Sequence, residues 1–335
     1  MKWLKEIIHT KDGEKEAIAP FIISASRSTD IPAFYADWFI KRLSVGYVKW
    51  INPFNQSPQY VSLNKAKVIV FWSKNPEPLI NYLPELDRRN ITYYFQFTVN
   101  NYEDEGYEPN VPSLNERIQT FKRLSSMIGK ERVIWRFDPL LLTEKINVET
   151  LLLKIKGIGE QLYPFTTQLV TSFADISIYN KVQRNLKAAN INYKEFQPSD
   201  IEEIASGIER FNKQWGLQVS TCAEKIDLSR FGIRHNKCID DNLIIKMNPD
   251  DKELLSFLGY MPENQLDIFS PGGKINGSLK DKGQRYECGC IISKDIGQYN
   301  TCAHLCIYCY ANYSPKSVAQ NREKVSSDSE TIIAD

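Results

Sequence analysis

VIVFWSKNP, residues 68–76, is apolar, β-branched and aromatic for nearly six residues and then stops in Ser73-Lys74-Asn75-Pro76. Such a run reads as a strand covered on both faces, the environment of a parallel sheet. Five other stretches share the pattern: FIISAS (21–26), TYYFQFT (92–98), RVIWRFD (132–138), QLVTSF (168–173) and LQVSTC (217–222). Between them, residues 33–44, 78–89, 113–128, 147–162 and 198–214 carry apolar positions at helical spacing, with start signals such as PSDIEE. Strands alternating with helices imply parallel pairing and right-handed crossovers. The segment GYVKWINPFNQSPQYVSL (46–63), with Pro and Asn at its centre, predicts a hairpin between the first helix and the second strand.

Each strand ends in polar residues: SASRSTD, WSKNP, QFTVNN, RFDPL, SFAD and STCAE. In a parallel barrel the active site forms where the C-terminal strand ends meet, so this regularity predicts an α/β protein built as a partial or complete (β/α) TIM-like barrel. Strand alternation places Ser24 with Ser26, Gln96 with Thr98, Arg136 with Asp138, and Ser220 with Cys222 on common faces. Arg27, Asp30, Lys74, Asn75, Asp175 and Glu224 then rim the opening. Among these, Arg27, Asp30, Arg136, Asp138 and Glu224 are the candidate catalytic residues: the arginines for a substrate carboxylate or phosphate, the acids for proton transfer.

The 335 residues suit one α/β barrel or two average domains. Hydrophobic residues make up 42% and charged residues 25%, which excludes bulk disorder. Lys and Arg number 42 against 41 Asp and Glu, so no global field draws nucleic acid to the chain. No run of 18 apolar residues predicts a membrane span, and MKWLKEIIHTKDGEKE lacks the apolar core and cleavage site of a secretory signal. The chain reads as cytoplasmic, where thiols stay reduced. Residues 1–222 are expected to form the barrel core, 223–315 an irregular cysteine-rich cap packed on it, and 316–335 a mobile tail. Within the cap, SPGGKINGSLKDKG (270–283) is expected to be flexible; PGGKING has no phosphate-loop spacing, and its glycines mark a bend.

All seven cysteines fall between 222 and 309. Cys302, Cys306 and Cys309 stand in NTCAHLCIYCYAN (300–312) as C-x3-C-x2-C. An odd count in a reducing setting argues against disulfides and for metal. Zinc would want four tetrahedral ligands, whereas three thiolates on an iron–sulfur cluster leave one iron open. Cys222, Cys238, Cys288 and Cys290 supply the count for a second centre, a [4Fe–4S] cluster or zinc. His304, between two of the cysteines, reads as a supporting residue, while His9 and His235 lack partners at metal spacing.

The C-x3-C-x2-C loop, with aromatic Tyr308 before its last cysteine, resembles that of the radical S-adenosylmethionine enzymes, and CIYCYAN resembles the loop of the spore photoproduct lyase branch. The chain as a whole, through SASRSTDIPAF, WSKNP, RFDP, STCAE and the final loop, looks like a bacterial family known only as a domain of unknown function. The first resemblance implies a [4Fe–4S] cluster on Cys302, Cys306 and Cys309, S-adenosylmethionine on its open iron, and a 5′-deoxyadenosyl radical acting on an unknown substrate. It also implies an electron donor such as flavodoxin or ferredoxin, with Tyr308, Ser73, Lys74 and Asn75 near the cofactor. Two features depart from that superfamily. Its cysteine loop follows the first strand, and WSKNP stands here where a Gly-Gly-Glu-like segment holds the methionine amine. The alternative is a non-radical barrel with a structural zinc or iron–sulfur site that binds a ligand or nucleic acid.

Overall fold

The computed structural model describes residues 3–261, 273–274 and 279–334. Half of the expected flexible stretch 270–283, including 271–272 and 275–277 of the PGGKING bend, lies outside the described residues. The six expected strands are present as β1 (Ile22–Ala25), β2 (Val68–Ser73), β3 (Thr92–Thr98), β4 (Val133–Leu140), β5 (Gln168–Phe173) and β6 (Gln218–Thr221). Two strands of two residues each, β7 (Arg234–His235) and β8 (Lys294–Asp295), complete one sheet in the order β7-β6-β5-β4-β3-β2-β1-β8. Every pairing in it is parallel. The sheet is not closed, and its order along the chain is compatible with a partial α/β barrel. Across the gap between its edges, Ile291 N donates to Ile239 O at 3.1 Å.

Both edge strands come from the cysteine-rich segment, so that segment builds part of the sheet. Dipeptides such as Arg-His and Lys-Asp carry no periodicity, which is why the sequence pattern shows only six strands. β8 is held by its neighbour's polar ends: Asp295 Oδ2 accepts from Ser24 Oγ at 2.7 Å and from Arg27 N at 2.9 Å. Gly297 follows because a Cβ there would stand 1.8 Å from Ser26 Oγ.

The crossovers are helical, with proline setting the breaks. The expected helix 78–89 divides into Glu77–Ile80 and Leu83–Arg88, each with a proline in its first turn, the place where the missing N–H costs nothing. The expected helix 33–44 likewise divides at Tyr35 into Ile31–Phe34 and Ala36–Val45. Leu114–Ile128 starts at a Ser113/Glu116 capping box, and Val148–Leu162 and Pro198–Trp215 follow the predicted spacing. A further helix, Asn180–Ala188, buries only Val182 and Leu186, too thin a stripe for pattern reading.

The predicted hairpin is Tyr47–Ile51 paired with Pro58–Ser62. It joins an N-terminal hairpin, Lys5–Thr10 with Gly13–Ile18, in a separate four-stranded sheet. The expected mobile tail is instead docked. Pro315–Arg322 is a helix, Trp38 Nε1 donates to Ser329 O at 2.9 Å, and Lys49 N donates to Glu330 O at 2.8 Å. Ile332 is buried, so the tail's one apolar cluster has found the core. No helix among the described residues is long and apolar enough to cross a membrane.

Candidate functional site

Parallel strands deliver their C-terminal ends to one side, and there a cavity of about 410 Å3 opens. All seven cysteines line it, although 87 residues separate the first from the last. Arg27, Asp30, Ser73, Lys74, Arg136, Asp138, Glu224 and Tyr308 line it as well. Asn75 does not; its Oδ1 accepts from Glu77 N at the start of the next helix.

Cys222, at the end of β6, and Cys238, just beyond β7, approach to 3.4 Å between sulfurs. Cys290 hydrogen-bonds to both Cys238 and Cys288, so the four thiols form one chain of contacts. Cys238 lies at its centre as acceptor. Hydrogen bonds from Cys222 and Cys290, together with the nearby Arg136 and Arg27 guanidinium groups, hold its thiol well below the usual range despite burial. The bond with Cys238 raises Cys222, and the bonds with Cys238 and Cys288 raise Cys290, whereas Cys288 is lowered to about 7, chiefly by its contact with Cys290. Nitrogen donors also surround the set. Arg136 Nη1 and Asn236 Nδ2 reach Cys238 Sγ at 3.0 and 3.2 Å, and Ile239 N reaches Cys290 Sγ at 3.4 Å.

Cys302, Cys306 and Cys309 occupy a tight loop in which Leu305 has φ +53°. Burial pushes all three thiols up. Ala311 N donates to Cys309 Sγ at 3.3 Å. The loop is clamped to the ends of β1 and β2. Asp30 receives Ser73 Oγ and Lys74 N at 2.7 Å, and Ala33 N at 3.0 Å, while His304 Nε2 stands 2.8 Å from its Oδ2. His304 Nδ1 faces Asn110 O, so both ring nitrogens are occupied in holding the loop. On the other flank, Lys74 Nζ lies 2.6 Å from Glu108 and 3.1 Å from Tyr308 Oη, and the Tyr308 hydroxyl donates to Glu108. Burial alone would raise the Glu108 carboxyl, but Lys74 and Arg117 outweigh it and hold it low.

Among the predicted catalytic residues, Asp30 and Arg136 are therefore committed within the protein. Arg136 is ion-paired with Asp138 and bonded to Gln96, and Asp138 accepts from Ser172. Ser73 is spent on Asp30. Glu224 differs: it lines the cavity, accepts among the described residues only Phe173 N, at 2.8 Å, and burial raises its carboxyl to about 7. Glu108 and Asn100, which fix Tyr308, escaped sequence reasoning because they sit in loops with no spacing signal. Tyr179 and Tyr310 escaped it too; their rings stack at 5.9 Å on the cavity wall.

As the side chains stand, no group of three or more His, Cys, Asp or Glu among the described residues is arranged to hold a metal ion. Fold and cavity together define an α/β protein whose open, all-parallel sheet carries a thiol-rich site at its C-terminal edge. The chain belongs to the family described as a domain of unknown function, DUF1848, which matches residues 22–311. No curated protein matches it. A crystal structure from Bacteroides thetaiotaomicron, provisionally named an alpha-L-fucosidase, aligns at 10% identity and TM-score 0.22, over 58% of this chain and 84% of that one. A likeness that low carries no argument.

Proposed function

We propose that the protein is an iron–sulfur enzyme of the radical S-adenosylmethionine type on a partial (β/α) barrel. The observation that carries the reading is the meeting of seven thiols, from both ends of the cysteine-rich segment, on one cavity. The donor set fits such a group. Thiolates are the ligands of iron–sulfur clusters, and here they are supplied with N–H donors and flanking cations that stabilise bound anionic sulfur. A buried nitrogen, Arg27 Nη2, has no partner among the described residues and belongs to a side chain lying beside Cys290 and Cys238.

In this reading Cys302, Cys306 and Cys309 hold a [4Fe–4S] cluster with an open iron for S-adenosylmethionine, and Cys222, Cys238, Cys288 and Cys290 hold a second centre. The bound group supplies one-electron chemistry. The chain's own residues do the rest. Asp30, His304, Lys74 and Glu108 fix the cysteine loop at the mouth, and the stacked tyrosines with Trp72 and Phe173 give the cavity an aromatic wall. Glu224 holds a proton near neutrality at the cavity wall. Electron paramagnetic resonance of the reduced, anaerobic protein tests the reading. A cluster signal that shifts on adding S-adenosylmethionine is expected; a protein containing only zinc would end it.

A second reading has its own observation. The 3.4 Å contact between Cys222 and Cys238 suits four thiolates drawn around one zinc ion, with the protein a non-radical binder of a ligand or nucleic acid. It expects about one zinc per chain and no change of the spectrum with S-adenosylmethionine.

A further inference from the structure

Four cations line the cavity. Lys74 pairs with Glu108 at 2.6 Å, Arg136 with Asp138, and Arg285 with Asp175 at 3.6 Å. Arg27 has no carboxylate within ion-pairing distance among the described residues. Its guanidinium carbon lies over the Trp72 ring, 4.9 Å from the centroid, and its Nη2 is shut off from solvent without a hydrogen-bond partner among the described residues. The rest of the guanidinium is served by a hydrogen bond to Cys290 and by the nearby Asp295 charge, but a buried charged donor left with one N–H unmade still carries a desolvation cost. The groups beside it are Cys290 and Cys238, two members of the four-thiol set, with Asp295 behind and already receiving Ser24, Arg27 N and Gly297 N.

We propose that Arg27 is the counter-charge of the Cys222/Cys238/Cys288/Cys290 set, a positioning residue whose free N–H meets the anionic sulfur that appears when those thiols bind a metal. The proposal rests on the reading that this set holds a metal, and it holds for iron–sulfur or zinc alike, because four thiolates leave either centre with net negative charge. Arg136 cannot take the role alone, since Asp138 already neutralises it. The loop that carries Arg27 serves the other set as well, but through a different residue. Asp30, three positions on, binds His304 of the Cys302/Cys306/Cys309 loop. One loop after β1 thus supports both sets, through a cation for one and an anion for the other.

The test uses the full chain, purified anaerobically with the additional change Cys306→Ala so that only the four-thiol set retains metal. Parent, Arg27→Gln and Arg27→Lys proteins are challenged with EDTA, and metal release is followed together with circular dichroism. Loss of the counter-charge is expected to weaken retention about tenfold or more in Arg27→Gln. Arg27→Lys, which keeps the charge, is expected to restore part of it. Equal retention in parent and Arg27→Gln overturns the proposal while leaving the metal reading intact. A parent with no metal on this set overturns both. Should Arg27→Gln fail to fold, Arg27→Lys decides, with circular dichroism confirming its fold: metal release faster than the parent's supports the proposal, and release at the parent's rate overturns it.

Discussion

The two thiol sets share a cavity but are built on opposite principles. Cys302, Cys306 and Cys309 come from one loop of eight residues, so chain connectivity alone keeps them near each other. Cys222, Cys238, Cys288 and Cys290 come from the end of β6, the exit of β7 and a turn before β8, and only the sheet brings them together. Their surroundings differ too. Arginines and an asparagine flank the distributed set, whereas the local loop is fixed by Asp30 and Glu108 through His304 and Tyr308. The comparison teaches that a local set needs anchoring to the fold, while a distributed set is already anchored and needs its charge balanced.

Reciprocal variants put that contrast under the greatest strain. Cys306→Ala is expected to abolish metal at the local loop and spare the distributed set, and Cys238→Ser the reverse, as read by iron, sulfide and zinc analysis. If either change emptied both sets, their independence would be lost. A smaller effect is expected from Lys74→Met, which leaves Glu108, its side chain 1% exposed, with Arg117 at 3.5 Å as its remaining cation. Breaking that buried pair should cost about 3 kcal/mol in denaturant unfolding; a neutral result would mean that the clamp on Tyr308 is not electrostatic. Smaller still, Asp30→Asn should cost about 1–2 kcal/mol by weakening the bond to His304. It should lower metal occupancy at the local loop only, and an equal loss at the distributed set would contradict the division of labour within the β1 loop.

Legibility followed the range of the interactions. The six longer strands of the sheet and the hairpin at 46–63 were readable because burial on both faces, or a Pro/Asn turn, writes itself into consecutive residues. β7, β8 and the docked tail were not, since Arg-His, Lys-Asp and a polar tail acquire structure only from partners far along the chain. The candidate site divides the same way. The thiols and the polar strand ends were visible in residue type. The saturation of Asp30, the bond of Arg136 to Gln96 and the place of Glu108 behind Tyr308 depend on neighbours more than thirty residues away in sequence.

By itself, then, the sequence determined alternating strands and helices, a polar edge where strands end, and a clustering of thiols, because each is a property of residue type and short-range spacing. The tertiary structure decided that a loop at the far end of the chain docks beside the first strand. It also decided that four scattered thiols meet and that one of the arginines lining the cavity has no ion-paired carboxylate among the described residues. Those outcomes require the parallel sheet to bring distant segments to the same edge, and no local pattern encodes that meeting.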